Sequence, residues 1–273
     1  MDKEKKKLLK DMAEKIRIDI VEMLCEAGSG HSGGSLSIAD VFAYLYFSGE
    51  FNLDPSDPEM PGRDRIVLSK GHACPVLYAA LAERGYFDRK HLLTLRKFNS
   101  ILQGHPDMKK TPGVDITTGS LGQGLSCAVG MAIGARLDNM DLHVVAIVGD
   151  GECNEGQIWE AAMAAAHFGL GNLTAVLDRN GLQIDGPTKD IMDTEPIIDK
   201  WRSFAWGVIE IDGHDLDQID SAFKKAMSIK DKPVCIVANT IKGKGVSFME
   251  NVVDFHGRAP TKEEAVKALK ELE

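Results

Sequence analysis

Apolar residues recur along this chain with two different periods, and where each period holds predicts an element. Leu8, Leu9, Met12, Ile16, Ile20, Met23 and Leu24 fall at helical spacing, which predicts an amphipathic helix over residues 5–27. Beyond the Gly-rich stretch AGSGHSGGS, a second helix is expected with Ser37 or a neighbour as its cap and IADVFAYLYF as its apolar face. RIVLS at 65–69 reads as a short buried strand broken at KGHA, with helical stretches following at about 74–84 and 88–97. Residues 99–119 hold Gly104, Pro106, Pro112, Gly113 and Gly119 with little periodicity, which predicts a long ordered loop or a functional one. From there the pattern becomes regular: helices at 121–137, 156–168, 196–204 and 215–229 alternate with strands at 142–148, 173–178, 206–211 and 233–239. TKEEAVKALKELE reads as an exposed terminal helix. Strands alternating with helices predict βαβ units, hence an α/β fold with a mostly parallel sheet and helices on both faces. No repeat, low-complexity tract or linker interrupts the pattern, so residues 1–273 are expected to form a single domain.

Composition narrows the class of function. A formal net charge of −9, with only KEKKK locally basic, argues against a nucleic-acid or anionic-membrane binder. Those lysines open the first amphipathic helix with no apolar signal region behind them, and no stretch reaches the length of a membrane span. Cys25, Cys74, Cys127, Cys153 and Cys235 lack metal-ligand or CxxC spacing and read as reduced. A cytoplasmic enzyme is expected.

Candidate chemistry sits at the ends of two strands. The apolar run that ends at Val148 stops at VGDGECNEG, which places Asp150 between Gly149 and Gly151. Ligands of open parallel sheets bind outside the carboxyl ends of the strands. Thirty residues on, the strand NLTAVLD ends at RNGLQIDG, so Asp150 and Asn180 are expected to emerge side by side. A carboxylate and an amide oxygen are hard ligands that suit Mg²⁺ or Ca²⁺. The flanking glycines leave room for phosphates, and a helix beginning near Gly156 is expected to point free N–H groups at the same spot. A dinucleotide fold is disfavoured, because no G-x-G-x-x-G opens a helix after a strand.

Taken together, these motifs resemble those of a known family. GDGECNEGQIWEAAMAAAHFGLGNLTAVLDRNGLQIDG resembles the thiamine-diphosphate motif of transketolases, and SGHSGG, LSKGHA, QGHPD, TTGSLGQG and HGRAP match that family in the same order, over about residues 10–260. The resemblance implies a thiamine-diphosphate-binding fold and thiamine diphosphate with Mg²⁺ (Ca²⁺ or Mn²⁺ in its place) as cofactors. It implies that Asp150, Asn180 and the carbonyl of Leu182 hold the metal, that Gly151 and His72 meet the diphosphate, and that Gly119 meets the aminopyrimidine. Leu121 and Ile184 would pack on the thiazolium, and His31, His105 and His256 would line the channel to the reactive carbon. Imidazoles there suit hydrogen bonds to sugar hydroxyls and proton transfer. The remaining histidines, His91, His143, His167 and His214, read as surface or satisfied core residues.

Glu155 and Glu160 correspond to glutamates that, in the family, link two active sites across an interface; a helix N-terminus that favours negative charge explains Glu155 equally well. Lys242 and Lys244 in KGKG can bind phosphate, although exposed turn lysines are commoner. In the family, the glutamate that activates the cofactor and the main sugar-phosphate ligands belong to a pyrimidine-binding domain, followed by a C-terminal domain. The match covers only the first of three domains, so the other two are expected on a separate C-terminal subunit, in a heterotetramer of two chains of each kind; the alternative is that the chain is a fragment of a longer gene product. The activity implied is transfer of a two-carbon ketol unit between sugar phosphates, as in the pentose phosphate pathway. The alternatives are a related deoxyxylulose-phosphate or dihydroxyacetone synthase, or a non-catalytic thiamine-diphosphate-binding module.

Overall fold

A computed structural model describes residues 1–273. Its centre is a five-stranded, wholly parallel sheet of β1 (Arg65–Leu68), β2 (Val144–Gly149), β3 (Leu173–Arg179), β4 (Gly207–Asp212) and β5 (Val234–Asn239), in the order β1-β2-β3-β5-β4. The central strands are apolar without alternation because both faces are covered. Val145 and Ile147 of β2 point into one core of 53 buried residues, while Val144, Ala146 and Val148 point into another of 24.

The first core is closed by α1 (Lys3–Ala27), α3 (Ala39–Phe47), α4 (Cys74–Arg84), α9 (Leu216–Ser228) and α10 (Lys262–Leu272), with the one-turn α2 (Gly33–Leu36) leading into α3. The second is closed by α5 (Gln123–Leu137), α6 (Gly156–His167) and α8 (Ile197–Ser203); a single turn, α7 (Thr188–Ile191), lies between β3 and α8. The α/β sheet with helices on both faces therefore forms as the periodicity predicts. The terminal helix α10 begins with a capping box between Thr261 and Glu264.

Three boundaries differ from expectation. Ser37 does not cap α3: that helix starts after Ile38 without a side-chain cap, and the Ser37 hydroxyl lies 2.7 Å from Asp178 Oδ2. The helical stretch expected at 88–97 forms only as a 3-10 turn at Arg89–Thr94, ended where Leu95 takes an extended ψ of 129° and Arg96 a left-handed φ of 62°. Helix α5 begins at Gln123, after Gly122 at φ 83°, whose N–H is held 2.8 Å from the Glu152 carboxylate. Its Gly124 is required by packing, since a Cβ there would lie 2.6 Å from the Ser69 Cα at the end of β1.

Candidate active site

The loops that leave the carboxyl ends of β1, β2, β3 and β5 converge, with the Gly-rich segment before α2, on a cavity of about 510 Å³. Gly149 pairs with Asp178 in the parallel register, so Asp150 and Asn180 leave adjacent strands together, as their spacing predicts. Asp150 is buried, and its carboxylate accepts the N–H of Gly151 at 2.7 Å and of Gly181 at 2.6 Å. Burial, and then the neighbouring Asp178, push its pKa up to about 6. Asn180 Oδ1 accepts the Leu182 N–H at 3.2 Å, and the Leu182 carbonyl accepts Lys242 Nζ at 3.1 Å. Burial and the nearby Lys70 hold that ammonium down at about 8. A buried carboxylate met only by backbone N–H groups, next to an amide oxygen and a carbonyl that draws in an ammonium, is a hard-oxygen set fitting a divalent cation.

Much of the remaining lining is basic and aromatic. The imidazoles of His31, His72 and His256 form a triangle with ring centroids 5.1, 5.2 and 5.7 Å apart. Lys242 Nζ donates to His256 Nδ1 at 2.8 Å. Burial holds all three rings neutral, at about 4 for His31, about 2 for His72 and about 3 for His256, with nearby cations adding to the effect. His31 Nδ1 is buried without a hydrogen-bond partner, an unsatisfied group that a bound molecule can meet. Lys242 also lines the cavity, with its ammonium between the Leu182 carbonyl and His256, a position suited to a diphosphate, while the Lys70 ammonium is taken up by Asp178 and the Gly34 carbonyl.

Of the residues singled out from the sequence, Asp150, Gly151, Asn180, Leu182, His31, His72, His256, Gly119, Leu121, Ile184 and Glu155 all line this cavity. His105 lies at its edge, exposed, with its ring against Gly119, where an added Cβ would sit 3.2 Å from it. Glu160 is not in the lining; it is exposed on the outer side of α6. Lys242 is not the exposed turn lysine expected: it is 3% exposed and points into the site. Nor does α6 face the cavity, because a 3-10 turn at Gly151–Asn154 intervenes and Gly156 falls outside the lining. As expected, His143 is a satisfied core residue, 2.8 Å from Thr174 Oγ1.

Four residues escaped sequence reasoning. Lys70 stands beside His72 in LSKGHA, and Asp178 ends the apolar strand NLTAVLD; a lone charge closing a buried run was the available signal. Glu152 is buried and accepts Ser69 Oγ at 2.5 Å, Gly122 N–H at 2.8 Å and Gly149 N–H at 3.0 Å, so it ties β1, β2 and the start of α5 together. Arg96, exposed and without a carboxylate partner, sits against Gly104 and close enough to His31 and His105 to lower both of their pKa values.

A parallel α/β sheet with this acidic-amide pair and this cationic wall defines a thiamine-diphosphate-binding domain, and the family model "Transketolase, thiamine diphosphate binding domain" matches residues 8–272. The chain belongs to the transketolase family. It is 49% identical to the 6-deoxy-6-sulfo-D-fructose transketolase subunit SqwG of Clostridium sp. (strain MSTE9), over 97% of this chain and 96% of that one. It is 42% identical to an apulose-4-phosphate transketolase subunit of Phocaeicola vulgatus, over 95% of this chain and 92% of that one. Transketolase from Leishmania mexicana superposes with a TM-score of 0.92 at 32% identity, covering 97% of this chain and 41% of that one. The chain thus spans the length of the subunits it resembles and about two fifths of that solved transketolase.

Proposed function

We propose that this chain is the N-terminal subunit of a two-chain transketolase, holding the diphosphate and metal of the cofactor while a second subunit completes the site. The observation that carries this reading is that one cavity is lined by Asp150, Asn180 and Leu182 together with His72 and Lys242. Asp150, Asn180 and Leu182 ligate Mg²⁺, and His72, Lys242 and the backbone of Gly151 bind the diphosphate. Gly119, Leu121 and Ile184 seat the rings. Thiamine diphosphate, when bound, supplies the electron sink for making and breaking the carbon–carbon bond. Neutral His31, His256 and His105 orient sugar hydroxyls and move their protons, and burial keeps His31 and His256 neutral throughout the physiological range.

Two features support a partner. Ile184 is 64% exposed although it lines the cofactor cavity, so that wall is covered from outside. The α5–α6 pair next to the cavity also presents an apolar outer face, with Leu137, Met163 and Phe168 exposed and Gly130 and Gly134 open to contact. The second subunit docks here, in an assembly of two chains of each kind, and exposed Glu155 and Glu160 reach toward the interface. The substrates are sugars with a terminal phosphate or sulfonate, in keeping with the substrates in the relatives' names and with the unpaired Arg96 beside His31 and His105.

The test is two-carbon transfer from xylulose 5-phosphate and from 6-deoxy-6-sulfofructose to an aldose phosphate, with thiamine diphosphate and Mg²⁺. Activity is expected only when this chain is mixed with its C-terminal partner. Transfer by this chain alone would overturn the half-site reading, and a mixture that binds cofactor but transfers nothing would point to a non-catalytic module.

A further inference from the structure

One fully buried side chain beneath the cavity touches neither metal nor cofactor in the proposed arrangement. Asp178, at the end of β3, is 0% exposed. Its Oδ2 accepts Lys70 Nζ at 2.5 Å, Ser37 Oγ at 2.7 Å and Asn180 Nδ2 at 3.2 Å, while Oδ1 accepts the Thr240 hydroxyl. Lys70 Nζ also donates to the Gly34 carbonyl at 2.7 Å. Four segments therefore meet on one carboxylate: the Gly-rich segment that carries His31, the loop that carries His72, the Asn180 turn, and the strand end that leads to Lys242.

The contact with Asn180 has a chemical consequence beyond packing. A side-chain amide offers a hard cation one oxygen, and rotating it by half a turn presents an NH₂ group that repels the cation. In the observed orientation Nδ2 donates to Asp178 and Oδ1 accepts the Leu182 N–H. The rotated amide would set oxygen against carboxylate and N–H against N–H, replacing two hydrogen bonds by two repulsions. Lys70 keeps the carboxylate ionised and therefore acceptor-only.

We propose that Asp178, held by Lys70, is a positioning residue that locks the Asn180 amide with its oxygen toward the metal. This rests on the assignment of Asp150 and Asn180 as metal ligands. Outer-shell partners of this kind are worth about 10–100-fold in metal affinity.

The experiment is a titration of the full chain, saturated with thiamine diphosphate and assembled with its partner subunit, using Mn²⁺ as the probe and reading free Mn²⁺ by its paramagnetic resonance signal. The Lys70→Met/Asp178→Leu double variant removes the acceptor and the buried charge pair together, which leaves no uncompensated charge behind. It is compared with its parent twice: once with Asn180 intact, and once in an Asn180→Asp background, where a carboxylate shows the cation an oxygen whichever way it turns. With Asn180 intact, Mn²⁺ affinity is expected to fall by about 10-fold or more. In the Asn180→Asp background the same double change is expected to alter affinity by no more than about twofold.

An equal loss in both backgrounds would show that Asp178 and Lys70 act only through packing and would overturn the proposal, as would no loss with Asn180 intact. Wild-type enzyme that binds no Mn²⁺ would overturn the metal assignment itself, a distinguishable failure. If thermal unfolding shows that the double variant does not fold, Asp178→Asn takes its place in the same two backgrounds. Its single oxygen must then be shared among Lys70, Ser37 and Asn180, so a smaller loss, again confined to the Asn180 background, is expected.

Discussion

Replacing Asp150 with asparagine should stabilise the cofactor-free chain while removing its response to cofactor. The pKa of Asp150 is raised from 3.8 to about 6, chiefly by burial. At roughly 1.4 kcal/mol per pKa unit, the ionised carboxylate therefore costs the empty fold about 3 kcal/mol. Because the folded value lies above the unfolded one, that cost is present in full above about pH 6, shrinks as the pH falls through 6, and is gone below 3.8. Asparagine carries no such cost at any pH. Its one oxygen can serve only one of the two N–H groups now held by Asp150, those of Gly151 and Gly181, so the other contact is lost at about 1–2 kcal/mol.

The balance leaves Asp150→Asn about 1–2 kcal/mol more stable than wild type at pH 8 in chelator, a rise in Tm of about 2–6 °C. Below pH 4 the order should reverse. Addition of Mg²⁺ and thiamine diphosphate at about a hundred times the Kd should stabilise wild type by about 2.7 kcal/mol and carry it past the variant, whose Tm stays where it was. Differential scanning calorimetry over about pH 3–8, with and without ligand, reads all of this. A variant that is less stable than wild type at pH 8 in chelator, or that responds to Mg²⁺ and cofactor as wild type does, would refute the electrostatic argument and the ligand assignment respectively.

Lys242→Met should have a parallel effect on the basic side. The pKa of Lys242 is lowered to about 8, so its charge destabilises the empty fold below pH 8 and ceases to do so as the pH rises from 8 toward 10.5. The variant should accordingly be more stable than wild type at pH 7 and bind thiamine diphosphate at least about 10-fold more weakly, as calorimetric titration of the assembled enzyme would show. Burial also raises the pKa of Glu152, but its carboxylate serves three donors, Ser69 Oγ and the N–H groups of Gly122 and Gly149, so Glu152→Gln should lose more than it gains, by about 1–3 kcal/mol in urea unfolding. Gly130→Glu lies where an added Cβ meets nothing within 4 Å, so the isolated chain should be as stable as wild type or up to about 1 kcal/mol more so, while association with the C-terminal subunit, followed by light scattering, should be lost.

The contrast between what the sequence revealed and what it concealed follows from where charge is neutralised. The strands were legible because residues such as Val145 and Val148 are buried on opposite faces, which makes the runs apolar throughout. Asp150 and Asn180 were legible because a βαβ unit fixes their spacing, and His31, His72 and His256 because glycine-rich loops mark them. Lys70, Asp178 and Glu152 were not, since each is tolerable inside the protein only through partners distant in sequence. Asp178 meets Lys70 across 108 positions and Glu152 meets Ser69 across 83, distances that no local periodicity registers. The exposed-turn reading of Lys242 failed for the same reason, as its surroundings are supplied by Leu182 and His256. The early end of the turn at Arg89–Thr94 was missed because the extended Leu95 and left-handed Arg96 that follow it leave no mark in composition. The buried charges of the site divide into two kinds. Asp178 is satisfied within the chain, its pKa held low by Lys70 against the effect of burial, and acts as scaffold, whereas Asp150 and Lys242 are shifted in opposite directions, one lacking a cation and the other an anion. A magnesium diphosphate held as proposed would relieve both at once, and the destabilisation stored in the empty site would become affinity for that ligand.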